Sequence, residues 1–184
     1  MQVIKVGGSL TRNGRLGDCL ARIAHRYPYN TIVVPGGGTF ADQVRLAQQE
    51  WHFNEVAAHR MAILAMQQMA LLFNALQPDW PLVKALDELK QPPGIGIWFP
   101  DFDLLEQYAI PPSWDITSDS LAAWLAGQLS ATELHLIKSA NCPNEMTLEF
   151  FIAQGILDSA FLNYSRPNSY KISVVNVQDF LVQT

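Results

Sequence analysis

The sequence predicts an α/β fold in three layers: an open, mainly parallel sheet with helices on both faces. Three observations predict it. Short apolar runs alternate with helical patterns along the whole chain. The runs are β-branched or aromatic and bounded by Gly, Pro or Asn, as strands buried on both faces are. A chain of 184 residues makes one compact domain that buries about 70% of its unfolded surface, which leaves no room for a second large unit.

In chain order, VIKV (3–6), TIVVP (31–35), IGIWFP (95–100), ELHLIK (133–138) and KISVVNV (171–177) read as strands. Helical patterns lie near 17–27, 39–49, 54–76, 101–107, 118–129 and 146–154. The helix at 54–76 places Arg60, Gln67 and Asn74 seven apart with Gln68 beside them, and is apolar around the rest of its circumference. A helix of that kind must be covered nearly all round. It is a candidate dimer-interface helix that would bury Met61, Leu64, Met69 and Leu72 in whole or part, with a single-chain core as the alternative. The Pro-rich pieces at 77–81, 91–94 and 110–114 are too short to be linkers and read as loops.

Composition narrows the function classes. Hydrophobic residues make up 49% and charged residues 16%, too apolar for disorder and low in charge for a fully wetted monomer, so a homodimer or higher homo-oligomer is expected. The net charge of -5 argues against a nucleic-acid partner. Cys19 and Cys142 have no CxxC or His-rich companion, so no disulfide framework, no zinc site and no other metal-ligating set is expected. The opening MQVIKVGGSL lacks the pattern of a signal peptide. Met61–Pro78 is uncharged for 18 residues, but Gln67, Gln68, Asn74 and Gln77 argue for a buried soluble helix instead of a membrane span. The expectation is a cytoplasmic protein with no membrane partner.

Ligands of open parallel sheets bind beyond the C-terminal strand ends, where four constellations fall. Lys5-Val6-Gly7-Gly8-Ser9 ends the first strand: glycines let backbone N–H groups approach a phosphate, and the lysine supplies fixed positive charge. The order is that of neither a Walker A loop nor GxGxxG, and a tight turn with an exposed lysine is the alternative. Pro35-Gly36-Gly37-Gly38-Thr39-Phe40-Ala41-Asp42 follows the second strand. Three glycines imply that something packs close to the chain, and Thr39 is expected to cap the next helix; a plain flexible turn is the alternative. In Trp114-Asp115-Ile116-Thr117-Ser118-Asp119-Ser120, Thr117 or Ser118 is the expected N-cap. Asp119 is either an ordinary first-turn acid or the group that orients Lys5 and Lys138. Lys138 ends the fourth strand of the reading, pointing into the same crevice or simply to solvent. His25, His52 and His135 read as structural, whereas His59 lies in the first turns of the apolar helix, downstream of the second glycine loop.

VIKVGGSL (3–10), VVPGGGTFAD (33–42), WDITSDSLAAWLA (114–126) and LIKSANCP (136–143), in that order, resemble the amino acid kinase family, which includes acetylglutamate, aspartate, uridylate and isopentenyl phosphate kinases. HRMAILAMQQMAL (59–71) looks like the long helix of uridylate kinases, with His59 where those carry an acidic, substrate-contacting residue. Short length, TSDSLAAWLA and IKS look most like the archaeal and methylotroph group that includes [5-(aminomethyl)furan-3-yl]methyl phosphate kinase and serves methanofuran-type C1-carrier biosynthesis.

The resemblance implies one domain over 1–184, with an acceptor-binding part at about 1–110 and a shortened nucleotide-binding part at about 111–184. It implies an ATP-dependent kinase of a small anionic or phosphate-bearing metabolite, with Mg2+ carried by the phosphates. Lys5 would contact the transferring phosphate, Asp119 would orient the cationic groups, and Lys138 would be a second cation or a substrate contact. Gly7, Gly8, Ser9, Ser118 and Asn141 would lie on the nucleotide side, and Gly36, Gly37, Gly38, Asp42 and His59 on the acceptor side. Where the family usually has Asp-Gly after the fourth strand, this chain has Asn141-Cys142. That departure favours the alternative, a non-catalytic kinase-like protein with an anion-binding, storage or regulatory role.

Overall fold

The computed structural model describes residues 1–12, 14–92, 94–143, 146–167 and 169–182. Its elements are β1 (Gln2–Val6), a 3-10 turn (Gly8–Thr11), α1 (Leu16–Arg26), β2 (Thr31–Pro35), α2 (Gly38–Trp51), α3 (Glu55–Leu76), β3 (Leu82–Val83), α4 (Leu86–Leu89), β4 (Ile95–Trp98), α5 (Phe102–Gln107), α6 (Ser118–Gln128), β5 (Glu133–Lys138), α7 (Leu148–Ala153), α8 (Phe161–Ser165), β6 (Lys171–Asn176) and α9 (Val177–Val182). The sheet order is β3-β4-β2-β1-β5-β6, and every pair is parallel.

The three-layer parallel sheet is thus as expected, with differences that have local causes. The sequence reading has no counterpart for β3, because two residues behind Pro81 carry no period to detect. The run expected at 95–100 ends at Trp98, before Pro100, which has no N–H for a ladder. The last strand stops at Asn176, because the Asn176 side-chain oxygen accepts from Gln178 N at 2.7 Å and starts a helix there. Thr39 is not a cap: α2 begins one residue earlier, after Gly37, with no side-chain cap bond.

Strand parity decides what each face carries. Val3, Leu134 and Leu136 join the core on the α6 side, while Ile4, Val6 and Ile137 join the core on the α1 side. Lys5 has the parity of Val3, and Lys138 that of Leu134 and Leu136, so both lysines face α6 at the C-terminal end of neighbouring strands. The register pairs Lys5 with Leu136, one side-chain step from Lys138. Residues 118–126 of α6 are all buried, as an all-round apolar helix requires, and its small Ala122, Ala123 and Ala126 let it lie close to the sheet. Tyr170 Oη closes this layer by donating to Ala123 O at 2.8 Å.

α3 is long and apolar enough to cross a membrane by length and composition alone. In the fold, however, Ile63, Met66, Met69 and Phe73 are buried in the two cores. Asn54 caps it, accepting from Ala57 N at 2.9 Å. Met69, a candidate for a dimer face by sequence, belongs instead to this chain's own core, and Leu72 is partly buried beside it. Met61, Leu64 and Leu71 remain exposed, at 38%, 45% and 53%.

What packs close to the triple glycine is the other glycine loop. A Cβ on Gly8 would overlap the backbone N and Cα of Gly38, and one on Gly36 would sit 2.7 Å from Gly8 N. Gly38 also takes φ +56. The two loops are therefore fixed against each other with no side chain between them. Gly8→Ala is expected to cost about 2–3 kcal/mol or more in urea unfolding, because rigid backbone must move. Gly17→Ala, on α1 with nothing near the new Cβ, is expected to raise stability by about 0.5–1 kcal/mol.

Candidate active site

The C-terminal ends of β1 and β5 are tied together before any side-chain chemistry begins. Gly7 N donates to Ile137 O at 2.9 Å, and the hydroxyls of Ser9 and Ser139 meet at 2.7 Å. Between the strands and α6 lies a buried charge cluster. Lys5 Nζ is 2.7 Å from Asp119 Oδ1, and Lys138 Nζ is 2.6 Å from Asp119 Oδ2. One carboxylate thus separates two ammonium groups, the arrangement expected if Asp119 orients both lysines. Burial would raise the Asp119 carboxyl, but Lys138 and Lys5 overcome it and hold it down at about 2. Burial lowers Lys5 to about 8, with Asp119 opposing and Lys138 adding to the fall.

Asp119 is placed by the start of α6, and that start is built by a residue the sequence reading does not single out. Thr117 is the N-cap, as one of the two expected candidates, yet its hydroxyl does not cap the helix. It donates instead to Asp158 at 2.8 Å, and Asp158 also accepts from Thr117 N at 2.9 Å, Ser120 N at 3.0 Å and the Ser120 hydroxyl. Asp158 therefore satisfies the orphan N–H groups of α6 from outside the helix, where the helix dipole favours a negative charge. Burial and the Asp119 charge push its carboxyl up, against the bonds from Ser120 and Thr117. No sequence signal links residues 41 positions apart; only the fold brings them together.

Beside the cluster is a cavity of about 260 Å³. Of the expected residues, Gly8, Ser9, Gly36, Gly37, Gly38, Asp42, His59 and Ser118 line it together. Gly7, Asn141 and the three cluster residues Lys5, Asp119 and Lys138 do not: the cluster lies behind the wall with Lys5 and Asp119 buried, Gly7 serves the β1–β5 junction, and Asn141 is exposed on the loop after β5. The wall also takes in Ser113–Trp114 and Ile116–Ser118. His59 stands in reach of the glycine loop as expected, but burial lowers its pKa despite the opposing Glu106 charge, so the imidazole is neutral at pH 7. Asp42 is ion-paired with Arg12. Arg12, Arg45, Glu55 and Trp114 complete the polar wall. Of these, Trp114 was legible as part of a motif but not as a wall; Arg12 just after the 3-10 turn, Arg45 on α2 and Glu55 at the start of α3 carry no distinguishing sequence signal.

Among the described residues no group of three His, Cys, Asp or Glu side chains forms a metal cluster. The residues do fit the triphosphate of a nucleotide: Asp119 holds two ammonium groups at the C-terminal ends of β1 and β5, and the 3-10 turn that follows β1 opens at Gly8 and Ser9 with N–H groups that have no acceptor inside the turn.

No family model matches the chain. Over 141 residues it is 30% identical to the [5-(aminomethyl)furan-3-yl]methyl phosphate kinase of Methanocaldococcus jannaschii; the match takes in 73% of this chain and 63% of that relative's length. The uridylate kinase of Archaeoglobus fulgidus shares the fold with a TM-score of 0.70 at 17% identity, over 98% of this chain and 94% of that one. The aspartate kinase of Synechocystis does so with a TM-score of 0.69 at 14% identity, over 96% of this chain and 38% of that one. The fold is thus shared with uridylate and aspartate kinases, and the sequence of the matched segment is similar to that of the phosphate kinase.

Removing the clamp on α6 is expected to show in stability. Asp158→Ala strands the N–H groups of Thr117 and Ser120, and a loss of about 2–3 kcal/mol in urea unfolding is expected. Unchanged stability would mean that Asp158 does not hold the helix start.

Proposed function

We propose, from the amino acid kinase fold shared with these proteins, that the chain is an ATP-dependent kinase of a small phosphate-bearing metabolite. The observation that carries the reading is the Lys5–Asp119–Lys138 cluster beside a cavity bounded by both glycine loops. The relative's name gives a furan methyl phosphate as its substrate; for this chain the reading takes that class of acceptor, a small phosphate ester. Bound Mg-ATP supplies the phosphoryl group and part of the charge neutralisation. The protein's share is positioning and electrostatics, which in phosphoryl transfer account for most of the rate.

Lys5 presents its ammonium where negative charge spreads over the transferring group. Asp119 keeps that ammonium and the one on Lys138 at fixed positions, and no side-chain nucleophile is needed. The paired glycines exclude side chains from the path between donor and acceptor. Oligomer formation belongs to the same reading: the exposed row Met61, Leu64 and Leu71 on α3 is buried against a second copy.

Lys5→Ala is expected to fold and to lose about 10²–10³-fold in kcat, since one preorganised charge is removed from the transition state. In the wild type, kcat/KM is expected to fall as pH rises through about 8, where Lys5 loses its proton. The fold does not fail with it. The Lys5 pKa is lower folded than unfolded, so between about 8 and 10.5 its contribution to stability increases with pH. Wild-type kcat in a folded Lys5→Ala protein overturns the assignment. Light scattering at micromolar concentration is expected to give a dimer for the wild type and a monomer for Leu64→Glu.

A further inference from the structure

The face of the sheet turned away from the lysine cluster carries a second set of reactive side chains. Glu133 and His135 of β5 share the parity of Ile137, and Lys171 and Ser173 of β6 share that of Val175, so all four face the α1 side. The parallel register sets Glu133 beside Lys171 and His135 beside Ser173. His135 Nδ1 meets the Ser173 hydroxyl at 2.7 Å, and its Nε2 lies 2.9 Å from Glu133 Oε2. The second contact is close but off the line of a full hydrogen bond. A cavity of about 450 Å³ opens over these residues, with Arg26, Tyr27 and Phe180 on its other sides. The Tyr27 ring stands 5.2 Å from the His135 ring and stacks on Phe180 at 6.5 Å. His135 reads as structural in sequence, where its partner on β6 is 38 positions away.

The two contacts settle where the imidazole holds its proton. A neutral ring beside a carboxylate carries the proton on the nitrogen that faces it, here Nε2, and leaves Nδ1 to accept from Ser173. Burial lowers the His135 pKa, Glu133 opposes the fall, and Arg26 and Lys171 add to it, so the ring is neutral at pH 7. A hydroxyl that donates to a neutral imidazole, whose other nitrogen faces a carboxylate, stands in the relation of nucleophile, base and orienting group.

We propose that this face holds an acyl-transfer site for esters of small carboxylic acids, with Ser173 as nucleophile, His135 as base and Glu133 as the positioning residue. Ser173 Oγ attacks the ester carbonyl carbon while its proton passes to His135 Nδ1. The bond to the alcohol oxygen then breaks, and His135 returns the proton to that oxygen. Water attacks the acyl-serine and gives a proton to Nδ1, which passes to Ser173 Oγ as the carboxylic acid leaves. Lys171, two residues before Ser173 on the same face, supplies positive charge for the oxyanion. Tyr27 and Phe180 favour a flat apolar group on the ester. The site is independent of the kinase reading, whose lysines lie on the other face of the sheet.

The test follows hydrolysis of para-nitrophenyl acetate by the wild-type protein near neutral pH, and maps by peptide mass spectrometry the residues modified by the ester and by a fluorophosphonate. Saturable release of nitrophenolate is expected, with the fluorophosphonate on Ser173. Ser173→Ala is expected to lose the label and about tenfold or more in rate. Glu133→Gln is expected to move the rise in kcat/KM to lower pH, because the carboxylate that favours the imidazolium is gone. An unlabelled Ser173 in the wild-type protein overturns the site, and that result needs no variant to fold. Acetyl groups on Lys171 or Tyr27 in place of Ser173 overturn it too, as does undiminished hydrolysis by folded Ser173→Ala. A pH profile unmoved in Glu133→Gln removes Glu133 as the positioning residue.

Discussion

Two ammonium groups in one buried site repel each other and lose their hydration, and a single carboxylate between them makes the arrangement tolerable. That is the part Asp119 plays, with Lys5 at 2.7 Å and Lys138 at 2.6 Å. Much of the surrounding structure serves this contact. β1 and β5 are neighbours in the sheet, parity turns both lysines toward the same face, and α6 lies across that face with its first turn at the strand ends. Asp158 then fixes the turn from outside. A buried ion cluster is weak evidence for stability, because desolvation offsets the attraction. Its place where ligands of parallel sheets bind suits held charge for an anionic ligand.

The second constraint is steric. Glycine-rich loops are commonly explained by the closeness of a phosphate, yet here Gly8, Gly36 and Gly38 are required by one another before any ligand arrives. Their contact sets the separation of the loops after β1 and β2, and so the shape of the cavity between the charge cluster and α3. The fold and the site share these residues, which is why a change at Gly8 would disturb both.

The sheet was legible because five of its six strands are apolar, punctuated runs of four residues or more; β3, with two residues, offered no such pattern. The lysine cluster was legible as well, since residues 5 and 138 end strands of readable parity and Asp119 begins a helix. Less could be read where the fold joins distant positions by polar side chains. Asp158 on Thr117 and Ser120, and Gln48 between Glu55 and Trp114, are contacts that neither period nor spacing encodes. Thr39 shows the reverse error: a good capping residue in a capping position, passed over because α2 starts one residue earlier, at Gly38 in the left-handed region. The apolar breadth of α3 split between the two readings it suggested, Met69 going to the chain's core and Leu64 to its surface.

If the Lys5–Asp119–Lys138 cluster holds a nucleotide's phosphates, as proposed, titration calorimetry with ATP gives saturable, Mg-dependent binding at neutral pH to the folded wild-type protein. Absence of ATP binding with and without Mg would contradict it, and would leave a kinase fold whose buried charges serve another anion.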